Sequence, residues 1–261
     1  MSFKLLNQSC FDFLPTIPDK SVDLVFIDPP YEVSREAGFE NTKPTGKDTD
    51  RFRVSMDFGE WDKEFSGLDI AIKECYRVLK NNGTMICFYD IWKLTTLKDY
   101  FEDAGFKQLR FIEWIKTNPV PINSKLNYLT NSREIAVLGV KKGKPTFHSE
   151  YDNGIYKFPI CHDKGRFHPT QKPIALIEAL IKKHSNEGDL VLDCFSGSGS
   201  TAVAALNLGR SFVGCELDAE YYKKSMERIR AMTRNWGIKK EDRGLGTKEK
   251  TIENPKHVLN H

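Results

Sequence analysis

Residues 22–31 read VDLVFIDPPY. Val22, Leu24, Val25, Phe26 and Ile27 form a near-continuous apolar run, the pattern of a strand buried on both faces as in a parallel sheet. The run delivers one carboxylate, two prolines and a tyrosine at its end. Pro29 and Pro30 lack N–H donors, have a fixed φ and push Asp28 away from the helical region, so the chain stays extended past the sheet's rim. An Asp carboxylate beside a prolyl carbonyl offers two acceptors, which suits the two N–H donors of a planar amino group, and Tyr31 adds a stacking face. The plainer alternative is a strand followed by an ordinary Pro-Pro turn with an incidental acid.

Outward from this strand, the periodicity alternates. Phe3 to Leu6 reads as a short strand, and Phe11, Phe13, Leu14 and Ile17 as a helical turn. Residues 32–66 carry nine acids and six Lys/Arg without sustained periodicity; a loop of this length directly after Tyr31 reads as a lid that orders on substrate. Leu68, Ile72, Cys75, Tyr76 and Leu79 recur at helical spacing, with Asn81-Asn82-Gly83 as the stop signal. Thr84 to Tyr89 is a second buried strand, Trp92 to Gly105 a helix, and Phe111 to Lys116 and Glu134 to Val140 are strands. After Pro173, which suits a first helical turn, Ile174 to Ile181 form an apolar stripe. Asp189 to Cys194 and Ser211 to Glu216 then read as strands, and Gly199 to Leu208 and Asp218 to Met232 as helices. This order predicts an α/β fold with a doubly wound, mostly parallel sheet in one domain, residues 1–232, followed by a peripheral or disordered tail, 233–261.

The 261 residues include 39% hydrophobic and 29% charged side chains. No apolar run approaches the roughly 20 residues of a membrane helix, which points to a soluble, cytoplasmic protein. Cys10, Cys75, Cys87, Cys161, Cys194 and Cys215 show no CxxC spacing, so they read as reduced thiols and no metal site is expected. The net charge of +3 is unevenly spread: residues 116–172 hold ten Lys/Arg against four acids. Either a solvated basic face or a nucleic-acid contact surface fits that surplus, and on the second reading Lys116, Lys125, Arg133, Lys141, Lys142 and Lys144 are candidate phosphate contacts.

A second motif lies at residues 190–202, LVLDCFSGSGSTA. Gly197 and Gly199 allow close passage of backbone to ligand, and the helix start beyond them attracts negative charge. Glu216, ending the next strand, is placed to accept hydrogen bonds from ribose hydroxyls. Gly197, Gly199 and Ala202 also satisfy a loose dinucleotide fingerprint, so the loop taken alone leaves NAD open.

DPPY at 28–31 resembles motif IV of the amino-methyltransferases that methylate exocyclic amines of DNA bases with S-adenosylmethionine. DCFSGSGST at 193–201 resembles their motif I, and HPTQKP at 168–173 their motif X. With DPPY first and the glycine loop last, the chain is similar to the permuted class β enzymes. The resemblance implies a Rossmann-like methyltransferase fold with a catalytic half (1–115), a target-recognition insertion (about 116–167) and a cofactor half (168–232). It further implies Asp28, Pro29, Pro30 and Tyr31 as catalytic residues, with Asp28 also bordering the cofactor. Phe195, Ser196, Gly197, Ser198 and Gly199 would hold the methionine end, Asp193 the ammonium and Glu216 the ribose. His168, Thr170 and Lys172 would complete the site, the last two at the carboxylate. Ser9 and Cys10 would lie beside the adenine ring, where Ser9 departs from the family's usual Asp. Asp28 at the head of the motif is typical of adenine enzymes, with N4-cytosine methylation as the alternative. Double-stranded DNA, a homodimer and a cognate restriction endonuclease are the implied partners. A DNA-binding relative without catalysis and an NAD-dependent oxidoreductase are readings of other classes.

Overall fold

VDLVFI forms the expected doubly buried strand, β2 (Val22–Ile27), with Val22, Val25 and Ile27 in one core and Leu24 and Phe26 in the other. The computed structural model describes residues 2–30, 66–119, 130–161, 167 and 171–241. Around β2 stand β1 (Phe3–Asn7), β3 (Leu79–Tyr89), β4 (Lys107–Lys116), β5 (Arg133–Val140), β6 (Ile155–Phe158), β7 (Leu190–Asp193) and β8 (Ser211–Glu216). They form one sheet in the order β1-β8-β7-β2-β3-β5-β4-β6. Every neighbouring pair is parallel except those of β5, which runs antiparallel to β3 and β4.

Helices cover both faces. The helices α1 (Cys10–Phe13), α2 (Leu68–Val78) and α3 (Leu94–Ala104) pack on the core containing Val25 and Ile27. The opposite core takes α4 (Ile174–His184), α5 (Ser200–Asn207) and α6 (Ala219–Glu241). Helix α2, next in the chain after β2, therefore lies on one face and α5, next after β7, on the other, the arrangement that opens a crevice at the carboxyl ends of the two strands.

The stretch around His148 to Tyr156 is fastened to α4. Lys183 of α4 pairs with Asp152 and donates to the Tyr156 hydroxyl at 3.1 Å, while the backbone N of His148 donates to the Lys183 carbonyl at 2.8 Å. The expected lid, 32–66, lies outside the described residues except for Ser66, as does the tail beyond Glu241.

Several boundaries differ from the sequence reading. Asn81-Asn82-Gly83 lies inside β3 and does not end α2. Instead the buried Lys141 ammonium donates to the carbonyls of Tyr76, Arg77 and Leu79 at 2.5, 3.0 and 2.7 Å, satisfying the orphan acceptors of the helix end. Helix α6 runs on to Glu241, so 233–241 continue the helix and do not begin the tail. Strand β4 starts at Lys107, with a register irregularity before Arg110. Strand β6 escaped the sequence reading because its four residues bury only one side chain fully.

Lys141 is only 4% exposed, which removes it from the phosphate contacts. Lys141→Met is expected to lower stability by about 2–4 kcal/mol in chemical denaturation, since it withdraws charge-assisted hydrogen bonds from three carbonyls. A variant as stable as the wild type would put the ammonium back on the surface.

Candidate active site

Asp28 follows β2, and the strand's register with β3 sets its height: Ile27 is level with Cys87. Lys172, from the segment entering α4, pairs with the Asp28 carboxylate and reaches Glu134 Oε2 at 3.2 Å. Glu134 stands near the start of β5, at the same rim because that strand is antiparallel, and its Oε1 meets Lys116 Nζ at 2.8 Å. The Lys172 ammonium is 4% exposed and lies 4.5 Å from the Phe88 ring centroid. Burial alone would lower its pKa, but the Asp28 and Glu134 carboxylates outweigh that and hold it above the ordinary lysine value. For Glu134 burial works upward, and Lys172 with Lys116 brings it below the ordinary value.

This arrangement changes two assignments. Lys172, expected at a cofactor carboxylate, is engaged with Asp28 and Glu134. Lys116, expected on phosphate, is paired with Glu134. Glu134 itself was read only as the first residue of a strand. The available signal was that it is the one acid between residues 116 and 149.

The neighbouring strand β7 delivers the glycine loop. Asp193 ends it, buried, with Oδ1 accepting from the Phe195 N–H at 2.9 Å. Loss of solvation pushes its pKa up to about 7, against the pull of the Thr201 and Phe195 hydrogen bonds, and Asp28 and Glu216 push it further in the same direction. Gly197 has φ +49° and Gly199 has φ +70°. A Cβ on Gly199 would stand 3.0 Å from the Ser225 Cβ, so this glycine also lets α6 pack on the start of α5. Glu216 Oε2 accepts from the Gly197 N–H at 2.6 Å and Oε1 from the Asp218 N–H at 2.8 Å. Each oxygen retains a further lone-pair site. Burial raises the Glu216 pKa in spite of these donors.

Two buried polar atoms in these motifs have no hydrogen-bond partner among the described residues: Ser196 Oγ of the loop and Gln171 Oε1 of HPTQKP. Such groups are costly unless something pairs with them. At the end of β1, Ser9 Oγ accepts from the Phe11 N–H at 3.0 Å and caps α1, and Cys10 is a buried thiol whose pKa burial raises to about 12. The cap explains Ser9 without any ligand. Ser198 Oγ is within 2.9 Å of Ser200 Oγ. Tyr31, His168 and Thr170 lie outside the described residues, as does Lys125. Arg133 is exposed and pairs with Glu113 at 3.2 Å. Lys142 and Lys144 are exposed but follow the carboxyl end of β5, on the rim opposite Asp28.

Asp28, Lys172, Asp193 and Glu216 thus gather along one rim, and residues 22–227, from the start of β2 into α6, match the DNA methylase family model N6_N4_Mtase. The type II methyltransferase M2.DpnII of Streptococcus pneumoniae is 34% identical over 250 residues, 87% of this chain and 89% of its own. M2.MboI of Moraxella bovis, also a type II methyltransferase, is 31% identical over 254 residues, 89% of each chain. Among solved structures, the M1.HpyAVI–SAM complex aligns with a TM-score of 0.64 at 28% identity, covering 87% of this chain and 99% of that one. With its motifs on adjacent strands and a match of this extent, the chain belongs to the N6_N4_Mtase family of DNA methylases.

Proposed function

We propose that this DNA methylase transfers the methyl group of S-adenosylmethionine to the N6 amino group of an adenine flipped out of double-stranded DNA. The observation that carries the reading is the parallel pairing of β2 with β7, which sets the Asp28 carboxylate beside the loop that begins at Asp193. The residues fit the cofactor. Asp193 offers a buried carboxylate to its ammonium, Glu216 lone pairs to its ribose hydroxyls, and Ser196 Oγ a hydroxyl in want of a partner. When bound, S-adenosylmethionine supplies an electrophilic methyl group. An aromatic amine is a poor nucleophile because its lone pair is delocalised into the ring. Asp28 and the Pro29 carbonyl accept its two N–H bonds and favour the tetrahedral geometry in which the lone pair is localised. The Lys172 ammonium pairs with the Asp28 carboxylate and orients it. Tyr31 stacks on the base, offsetting part of the few kcal/mol that unstacking costs. Positioning of this kind contributes up to ~7–11 kcal/mol.

Adenine is favoured over cytosine because Asp heads the motif, where the cytosine enzymes it resembles carry Ser. The same reading sets the protein in the cytoplasm as a homodimer paired with a cognate endonuclease. It leaves the recognition of sequence to residues 116–167. Incubation with DNA and cofactor, followed by mass analysis of the nucleosides, should yield 6-methyladenine; 4-methylcytosine alone would overturn the choice of base.

A second expectation follows from Asp193. Only its ionised form pairs with an ammonium, so with a pKa of about 7 the affinity for S-adenosylmethionine should rise about tenfold from pH 6 to pH 8. Stability of the ligand-free protein moves the other way. Its folded pKa lies above the ordinary 3.8, so the native state holds an extra proton between the two values and stability falls as pH climbs through that window. Asp193→Asn should therefore raise Tm at pH 8, by about 2 °C or more, while weakening cofactor binding and flattening its pH dependence. Calorimetry with thermal melts reads both effects, and a pH-independent wild-type affinity would remove Asp193 from the ammonium.

A further inference from the structure

We infer that Glu134 is a positioning residue for methyl transfer, acting on Asp28 through the buried Lys172 ammonium. The inference rests on the proposed function only in taking Asp28 as the acceptor of the substrate amino group. Four charges alternate across the rim from β4 to β2: Lys116, Glu134, Lys172 and Asp28. Glu134 sits between the two lysines, with Nζ of Lys116 at 2.8 Å and of Lys172 at 3.2 Å. The Phe88 ring lies against Lys172, its centroid 4.5 Å from Nζ.

A half-buried row of this kind around one buried ammonium adds little net stability, since such ion pairs roughly cancel their own desolvation. Apolar side chains would fill the same space. What the row does instead is divide Lys172 between two carboxylates. Without Glu134 a larger share of the ammonium falls to Asp28, draws on its lone pairs and pulls it out of place, and the carboxylate becomes a weaker acceptor for a neutral amine. Without Lys172, Asp28 would lose the cation that fixes the direction of its carboxylate. Glu134 holds the balance between these extremes. Lys116 acts one step further out, because it competes with Lys172 for Glu134.

The test is a double-mutant cycle read by single-turnover transfer from tritiated S-adenosylmethionine to unmethylated genomic DNA, with both binding affinities measured separately. Glu134→Gln should slow the transfer step about tenfold to a hundredfold, the loss that small misplacement of a reacting group brings. Affinities for cofactor and DNA should not change. Glu134→Asp should restore part of the rate. Lys116→Gln should have a smaller effect that disappears in the Glu134→Gln background, because the two residues act along one path. A wild-type rate in Glu134→Gln, strictly additive effects in the cycle, or a rate loss matched by equal losses of both affinities would each overturn the inference. Should Glu134→Gln fail to fold, Lys116→Gln and Glu134→Asp decide it: slower transfer at unchanged affinity supports the role, and wild-type rates refute it. The comparison reads whichever base is methylated, so a cytosine product would strike the choice of adenine and leave this result standing. A wild type that transfers no methyl would end both.

Discussion

The site depends on a short seam between two parallel strands. Leu24 pairs with Val191 and Val25 with Leu192, and those two levels join the half of the sheet that carries Asp28 to the half that carries the glycine loop. Asp23 reinforces the seam from the amino end. Its Oδ2 accepts from the Leu190 N–H at 2.9 Å while Oδ1 meets Lys80 Nζ at 2.7 Å, so one carboxylate ties β7, β2 and β3 together. A strand advances about 3.3 Å per residue and alternates faces, so a slip of a single residue would displace Asp28 from Asp193 by that distance and turn it to the other side. Chain order is irrelevant to this constraint. Strand β2 can precede β7 by more than 150 residues because only their adjacency in the sheet sets the geometry.

At the carboxyl rim the cost of burying charge is met in two different ways. Glu134 is held ionised by Lys172 and Lys116, Asp28 is paired with Lys172, and Lys172 is held protonated by the two carboxylates. Asp193 and Glu216 have no such cation against them in the described contacts and accept backbone N–H groups, and both pKa values are raised. The Asp28 end is thus electrostatically settled without ligand, whereas the Asp193 and Glu216 end is strained toward neutrality. A ligand with a positive charge and hydroxyl donors relieves the second end without disturbing the first.

What the sequence disclosed follows from the reach of each signal. The doubly buried pattern of β2 and the strand, loop and helix of 190–208 are local, and both were legible. So was Gly105 beyond α3, where φ +100° lets the chain reverse. Signals that depend on a distant partner were not. Asn81-Asn82-Gly83 looked like a helix stop because nothing nearby says that an ammonium 62 residues away ends α2. Glu134 looked like a strand residue because its two lysines come from β4 and from the turn into α4. Strand β6 is only four residues long, and its exposed side carries the apolar Ile155 as well as Lys157, so its burial alternates while its hydrophobicity does not.

The basic segment shows how a charge count misleads about electrostatics. Of the ten cations between 116 and 172, Lys141 is buried on carbonyls, Lys116 and Lys172 are neutralised by Glu134 and Asp28, and Arg133 is paired with Glu113. Lys142 and Lys144 are exposed at the far rim. Lys157 is different. It is exposed on β6, in register with Ile115 and therefore near the rim that carries Lys116 and Asp28. On the proposed reading, in which a flipped base reaches Asp28, the duplex lies across that rim, so a surface lysine there is within reach of phosphate in a way that one at the opposite end of the sheet is not. The local surplus of positive charge is real, but sheet direction decides which part of it faces the DNA.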